Sequence, residues 1–122
     1  MSGNTLAAGH AKLRIFELSE YIDFVCAVSG EDAPTRPELV PVAWERVRCV
    51  RRRSFGPLDT VIIGDTPADF DAARRNGCHV VAVATGKATA TELRDAGADL
   101  LLLDLSDPQA ALDAITGLAS TL

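Results

Sequence analysis

Three stretches of the chain, 60–63, 79–84 and 99–103, are apolar at consecutive positions instead of alternating ones. A strand with one wet face alternates, so this pattern predicts parallel strands covered on both sides. Helix signals separate the three. Thr66 reads as an N-cap with Pro67 at the first helical position, and Asn76-Gly77 after Arg74 and Arg75 reads as a left-handed stop with cations in the last turn. Thr89 with Glu92, and Ser106 with Gln109, are spaced as capping boxes, and Gly97 closes the helix that Thr89 opens. Upstream, the pattern predicts a helix over 5–18, a strand over 24–28, a loop, and a helix over 36–48. Pro41 conflicts with that last helix and moves its expected start a turn later. The order helix, strand, helix, then three strand-helix units implies right-handed crossovers and an open α/β sheet of about four parallel strands, doubly wound with helices on both faces. No internal repeat or linker divides the 122 residues, so one domain over 1–122 is expected.

Composition narrows the function classes. A net charge of −5 and a pI near 4.9 speak against binding to nucleic acid or to a membrane surface. No apolar run is long enough to span a bilayer, and Met1 precedes Ser-Gly-Asn instead of a basic then apolar leader, so a cytoplasmic location is expected. Cys26, Cys49 and Cys78 form no CxxC or Cys/His cluster and are read as reduced thiols. His10 and His79 lack spaced companions and are not read as ligands, and Trp44 is assigned to the core. The cluster Arg46, Arg48, Arg51, Arg52 and Arg53 reads as a solvated helix C-terminus, where cations are favoured.

The chemistry concentrates in Gly64-Asp65-Thr66-Pro67-Ala68-Asp69, where an apolar run delivers two carboxylates to a strand-to-helix turn. Ligands in an open parallel sheet bind beyond the carboxyl ends of the strands. Magnesium takes oxygen donors, keeps several waters, and is held by one or two carboxylates together with substrate phosphate. Asp65 is placed to bind such an ion directly and Asp69 to orient a metal-bound water. The competing structural reading makes Thr66 and Asp69 a capping pair only, which leaves the acid at position 65 unexplained. Arg36 in a first helical turn opposes the macrodipole, and a bound phosphate would account for it; a solvated arginine in the Pro-Thr-Arg-Pro loop is the alternative. Ser2-Gly3-Asn4 before a helix offers a hydroxyl and free amides to an anion, or else is a frayed terminus.

In this order the pieces resemble the haloacid dehalogenase (HAD) superfamily of hydrolases, most closely its phosphoglycolate-phosphatase-like members, over nearly the whole chain. The resemblance implies an incomplete HAD-like, Rossmann-like core. Ser2-Gly3-Asn4 is similar to the second motif, which binds the transferring phosphoryl group. Arg36 falls at the Lys/Arg of the third motif, and Gly64 to Asp69 match the fourth, acidic metal-binding motif. The segments Ala72-Ala73-Arg74 through Gly77, Val80 through Gly86 and Glu92-Leu93 through Asp99 are similar to the family's usual continuation. The resemblance implies a Mg2+-dependent phosphomonoester hydrolase acting on a phosphorylated small molecule. It also exposes a departure. Family members attack phosphate with the first aspartate of an Asp-x-Asp motif after the first strand, and here no Asp-x-Asp-Gly/Ser/Thr follows any apolar strand. Asp104-Leu-Ser-Asp107 has the wrong spacing. The first strand and most of the second are also absent by comparison with the family, and no cap domain fits between Ser2 and Arg36. The expectation is a truncated core without a catalytic nucleophile, inactive alone, completed by an N-terminal segment or an oligomer. The alternative is a non-catalytic pseudoenzyme module that binds phosphate or protein.

Overall fold

The computed structural model describes residues 1–2 and 4–119. It falls into two compact units, Met1–Phe55 and Gly56–Leu122.

The second unit is an α/β layer structure. Strands β1 (Val61–Gly64), β2 (His79–Val83) and β3 (Leu100–Leu102) alternate with helices α3 (Pro67–Asn76), α4 (Ala90–Asp95) and α5 (Pro108–Ala119), while α1 (Leu6–Ile15) and α2 (Arg36–Arg51) belong to the first unit. The sheet is parallel in the order β1-β2-β3, with Ile62 opposite Val80 and Ala82 opposite Leu101. Asp99 fixes the start of β3 by accepting the Val80 amide on its carboxylate at 2.7 Å while its own amide donates to the Val80 carbonyl at 3.0 Å. In the central strand Val80, Val81, Ala82 and Val83 are all buried. Successive side chains point to opposite faces, so both faces of β2 are covered, as the consecutive apolar run predicts. Phe70, Ala72 and Ala73 are the buried residues of α3, which packs on β1 and β2. The two alanines remove bulk where helix meets sheet, and Phe70 contributes about 2–3 kcal/mol by burial. β1 forms one edge of the sheet, and Ile63 on it is 47% exposed.

The expected caps hold with one shift. Gly77 stops α3 in the left-handed conformation at φ 69°. Thr89 and Glu92 form both bonds of their box, at 2.7 and 3.2 Å. At α5 the cap is Asp107, whose carboxylate accepts the Ala110 amide at 3.0 Å, whereas Ser106 turns back to Asp104. Pro108 suits a first helical position, and this moves the cap from Ser106 to Asp107.

In the first unit, α1 (Leu6–Ile15) is capped by Thr5, whose Oγ1 accepts the Ala8 amide at 3.2 Å, and α2 spans Arg36–Arg51. α2 begins at Arg36 and not a turn later. The amide that Pro41 lacks would bond to the carbonyl of residue 37, in the first turn, and the Glu38 carboxylate accepts the Thr35 amide at 3.2 Å to hold that end. The segment 24–28 is not a strand, so the sheet has three strands among the described residues instead of about four. Its backbone groups are satisfied elsewhere: the Cys26 amide donates to the Asp23 carbonyl at 3.2 Å, Arg46 donates to the Ala27 carbonyl, and the Ser2 amide donates to the Val28 carbonyl at 3.0 Å. Trp44 is half-buried. Three arginines of the basic cluster are paired inside the unit: Arg46 with Asp32 at 3.0 Å, Arg48 with Glu45, and Arg51 with Asp23 at 2.9 Å.

Candidate metal-binding site

The parallel sheet sends each chain segment out at its carboxyl end into a loop that opens a helix, and Asp65 is the first residue beyond β1. Thr66 then caps α3. Asp69, in the first turn, accepts the Thr66 amide at 3.3 Å and the Thr66 hydroxyl at 2.9 Å, both on Oδ2. The capping arrangement therefore exists, and it engages Asp69 but not Asp65. No hydrogen bond or ion pair to the Asp65 carboxylate occurs among the described residues, and the side chain is exposed.

Two glycines make room for these acids. A Cβ on Gly64 would collide with the Cβ and carboxylate of Asp69, and one on Gly86 would collide with the carboxylate of Asp65. Only hydrogen at those two Cα atoms lets the carboxylates lie against the backbone. Gly86 follows β2 as Asp65 follows β1, so the loops of neighbouring strands meet, and a cavity of about 640 Å³ opens there, lined by Asp65, Thr66, Pro67, Gly86, Lys87, Ala88 and Glu92. Gly86 and Lys87 were not singled out from the sequence as site residues. The signal was available: in a parallel sheet the loops after adjacent strands converge at one edge.

The donor chemistry fits magnesium. Two carboxylates stand at one strand end, hard oxygen ligands in the number a Mg2+ site takes from protein, and Gly86 leaves the cradle against Asp65 that a side chain would fill. Among the described residues no group of three or more His, Cys, Asp or Glu comes together as a metal site.

The remaining sequence-predicted residues belong to the first unit. Ser2 and Asn4 are adjacent, with Ser2 Oγ accepting the Asn4 amide at 3.1 Å, and both line a cavity of about 370 Å³ whose walls include Leu6, Leu13, Phe24 and Val28. Gly3 lies outside the described residues. The Glu31 carboxylate accepts the Leu6 amide at 2.9 Å, so one of the first amides of α1 is already taken by an acid of the chain. Arg36 is the first residue of α2 and is half-buried. Asp104 accepts both the amide and the hydroxyl of Ser106, at 2.9 and 2.5 Å, and these bonds hold its carboxyl below the usual range. It is an anchored turn residue. No helix among the described residues is long and apolar enough to cross a membrane.

The core is thus a parallel α/β layer that carries two acids on the turn after a strand, and comparison with known proteins gives its family. The HAD-hydrolase-like family model matches residues 36–108, more than half of the chain. The chain is 34% identical over 85 residues to a phosphoglycolate phosphatase of Chromobacterium violaceum, covering 70% of this chain and 36% of that protein. It is 36% identical over 75 residues to a phosphoglycolate phosphatase of Nitrosospira multiformis, covering 61% and 30%. Among solved structures it superposes on a predicted phosphatase from Clostridium acetobutylicum with a TM-score of 0.69 at 20% identity, over 88% of this chain and 47% of that one. This protein belongs to the HAD superfamily. It spans about a third of the length of the curated relatives it matches.

Proposed function

We propose that the chain supplies the magnesium-binding half of a phosphomonoester hydrolase site. The observation that carries this reading is the Asp65 carboxylate, seated against Gly86 at the carboxyl end of β1 and given no partner among the described residues. Asp65 is the direct ligand. Asp69, braced by Thr66, fixes the turn and orients water at the ion. Bound there, Mg2+ supplies Lewis-acid polarisation of a phosphoryl oxygen. Arg36 is the candidate guanidinium contact for phosphate oxygens and the Ser2 hydroxyl a candidate donor, while the Ser2 and Asn4 amides are already engaged, by the Val28 carbonyl and by Ser2 Oγ. The substrate class is a phosphorylated small molecule, the class named by the phosphatase relatives. These 122 residues contain no aspartate in the nucleophile pattern, so covalent attack on phosphorus must come from outside them.

Calorimetric titration of Mg2+ into the chain tests the metal role: one site is expected, weakened at least tenfold by Asp65→Asn. Equal affinity of the variant and the parent refutes it. Hydrolysis of p-nitrophenyl phosphate by the chain is expected to be negligible, by roughly a millionfold relative to a complete site. Phosphate release that survives purification and disappears with Asp65→Asn would overturn the incapacity.

A second reading, a non-catalytic binding module, is favoured by β1 lying at the sheet edge with Ile63 exposed. An apolar parallel strand from a complementing segment or a second copy would pair there. Light scattering that shows a monomer at every concentration, with no Mg2+ or phosphate binding, counts against it.

A further inference from the structure

The cavity beyond β1 and β2 holds two opposite charges that do not pair. Asp65 and Lys87 both line it, yet no hydrogen bond or ion pair engages either side chain among the described residues. The other acid on the wall, Glu92, is occupied by the Thr89 amide at 2.7 Å. Lys87 is the one basic residue of this lining and directly follows Gly86, the backbone position on which Asp65 rests. An acid and a base that share a cavity of about 640 Å³ while remaining apart suit a ligand that carries both signs. A divalent cation with a bound anion is such a ligand.

We infer that Lys87 is the anion contact of this cavity and makes binding of Mg2+ and of a phosphate group mutually dependent. The inference rests on the magnesium reading of Asp65 and adds a residue and a coupling to it. The physical basis is electrostatic. An ammonium in the same cavity repels a bare divalent ion and lowers its affinity. A phosphate dianion cancels that repulsion and gains a charge-assisted hydrogen bond. Linkage then requires each ligand to tighten the other by the same factor. The site would load a metal-phosphate pair in preference to free metal.

The experiment is calorimetry on the full 122-residue chain with Mg2+ alone, inorganic phosphate alone, and each in the presence of the other. The parent, Lys87→Ala, Lys87→Arg and Asp65→Asn are compared. For the parent, phosphate is expected to tighten Mg2+ binding about fivefold, and Mg2+ to tighten phosphate binding equally. Lys87→Ala should bind Mg2+ alone about threefold more tightly and show a coupling reduced to the direct attraction of Mg2+ for phosphate, and Lys87→Arg should keep the parent's value. Lys87 is exposed, so far-UV circular dichroism of these variants should match the parent. If Lys87→Ala retains both the Mg2+ affinity and the coupling while Asp65→Asn abolishes Mg2+ binding, the role of Lys87 is overturned and the metal site stands. If the parent binds no Mg2+, or Asp65→Asn leaves binding intact, the metal reading fails and the coupling fails with it.

Discussion

Replacing Gly64 by alanine should destabilise the second unit in a way that reports the packing of the metal turn directly. An added Cβ would fall well inside the 3.5–4.0 Å at which carbon atoms attract, against both the Cβ and the carboxylate of Asp69. The carboxylate alone could swing away, but the Asp69 Cβ is tied to the backbone of α3. Relief therefore requires the first turn of that helix to move off the sheet. Overpacking of this kind costs about 1–3 kcal/mol. The shift would also break the bonds from Thr66 to Asp69, worth about 1 kcal/mol as a cap. The sum is about 2–4 kcal/mol. In urea, with a slope of roughly 1–3 kcal/mol per molar, the midpoint should fall by about 1 M or more. Denaturation of the parent and the Gly64→Ala variant, followed by far-UV circular dichroism, provides the measurement. Asp69→Ala keeps its Cβ, so Gly64→Ala should remain destabilising in that background, with only part of its effect removed. A Gly64→Ala variant that unfolds within about 0.5 kcal/mol of the parent would refute the close approach.

Gly86→Ala should behave differently, because its Cβ meets chiefly the tip of the Asp65 side chain, which can rotate into solvent; stability should change by less than about 1 kcal/mol, while Mg2+ affinity measured by calorimetry drops severalfold. Asp23, held at a pKa of about 2 against the ordinary 3.8 chiefly by its hydrogen bond from Arg51, contributes stability that is complete above the unfolded pKa and disappears as pH falls from about 4 through 2. Carboxyl chemical shifts followed by NMR should titrate near 2 for Asp23 and move back toward 3.8 in Arg51→Ala. Pro41→Ala should stabilise α2 by about 1–3 kcal/mol by restoring an amide donor, read as a raised urea midpoint.

Much of this molecule is legible in its residues because the signals are local. Thr66, Pro67 and Gly77 bound α3 where their backbone chemistry places them, and the unbroken apolar runs locate β1 and β2. The segment 24–28 misleads for a complementary reason. Its Phe-Val-Cys-Ala-Val composition favours a strand, yet a strand exists only through a neighbour's ladder, and here a turn, a guanidinium and the Ser2 amide take the backbone groups instead. Pro41 misleads because the bond it costs α2 is a local penalty, whereas the burial of Leu39 and Val40 beside it on the same helix is a tertiary gain that the local pattern does not state. In the site, Asp65 and Asp69 follow from their spacing after an apolar run. Gly86 and Lys87 do not follow from spacing, since their place beside Asp65 comes from the strand-order argument that loops after adjacent parallel strands converge, here with β1 paired to β2 across 18 residues. The basic cluster is largely exposed, as its composition suggests, but its ion pairs with Asp23 and Asp32 are not legible because those acids lie more than a dozen residues upstream.

The position of β1 at the sheet edge also bears on how copies of the chain meet. Val61, Ile62 and Ile63 form a short β-prone apolar segment on the outer strand, the kind of sequence that zips into intermolecular sheets when its edge is left open. Asp59 and Asp65 bracket it, and like charges so placed act as gatekeepers that keep copies from stacking in register. Neutralising residue 65, by mutation to asparagine or by an ion, removes half of that protection. Asp65→Asn should therefore begin to self-associate at a lower concentration than the parent, read by light scattering of both across a dilution series.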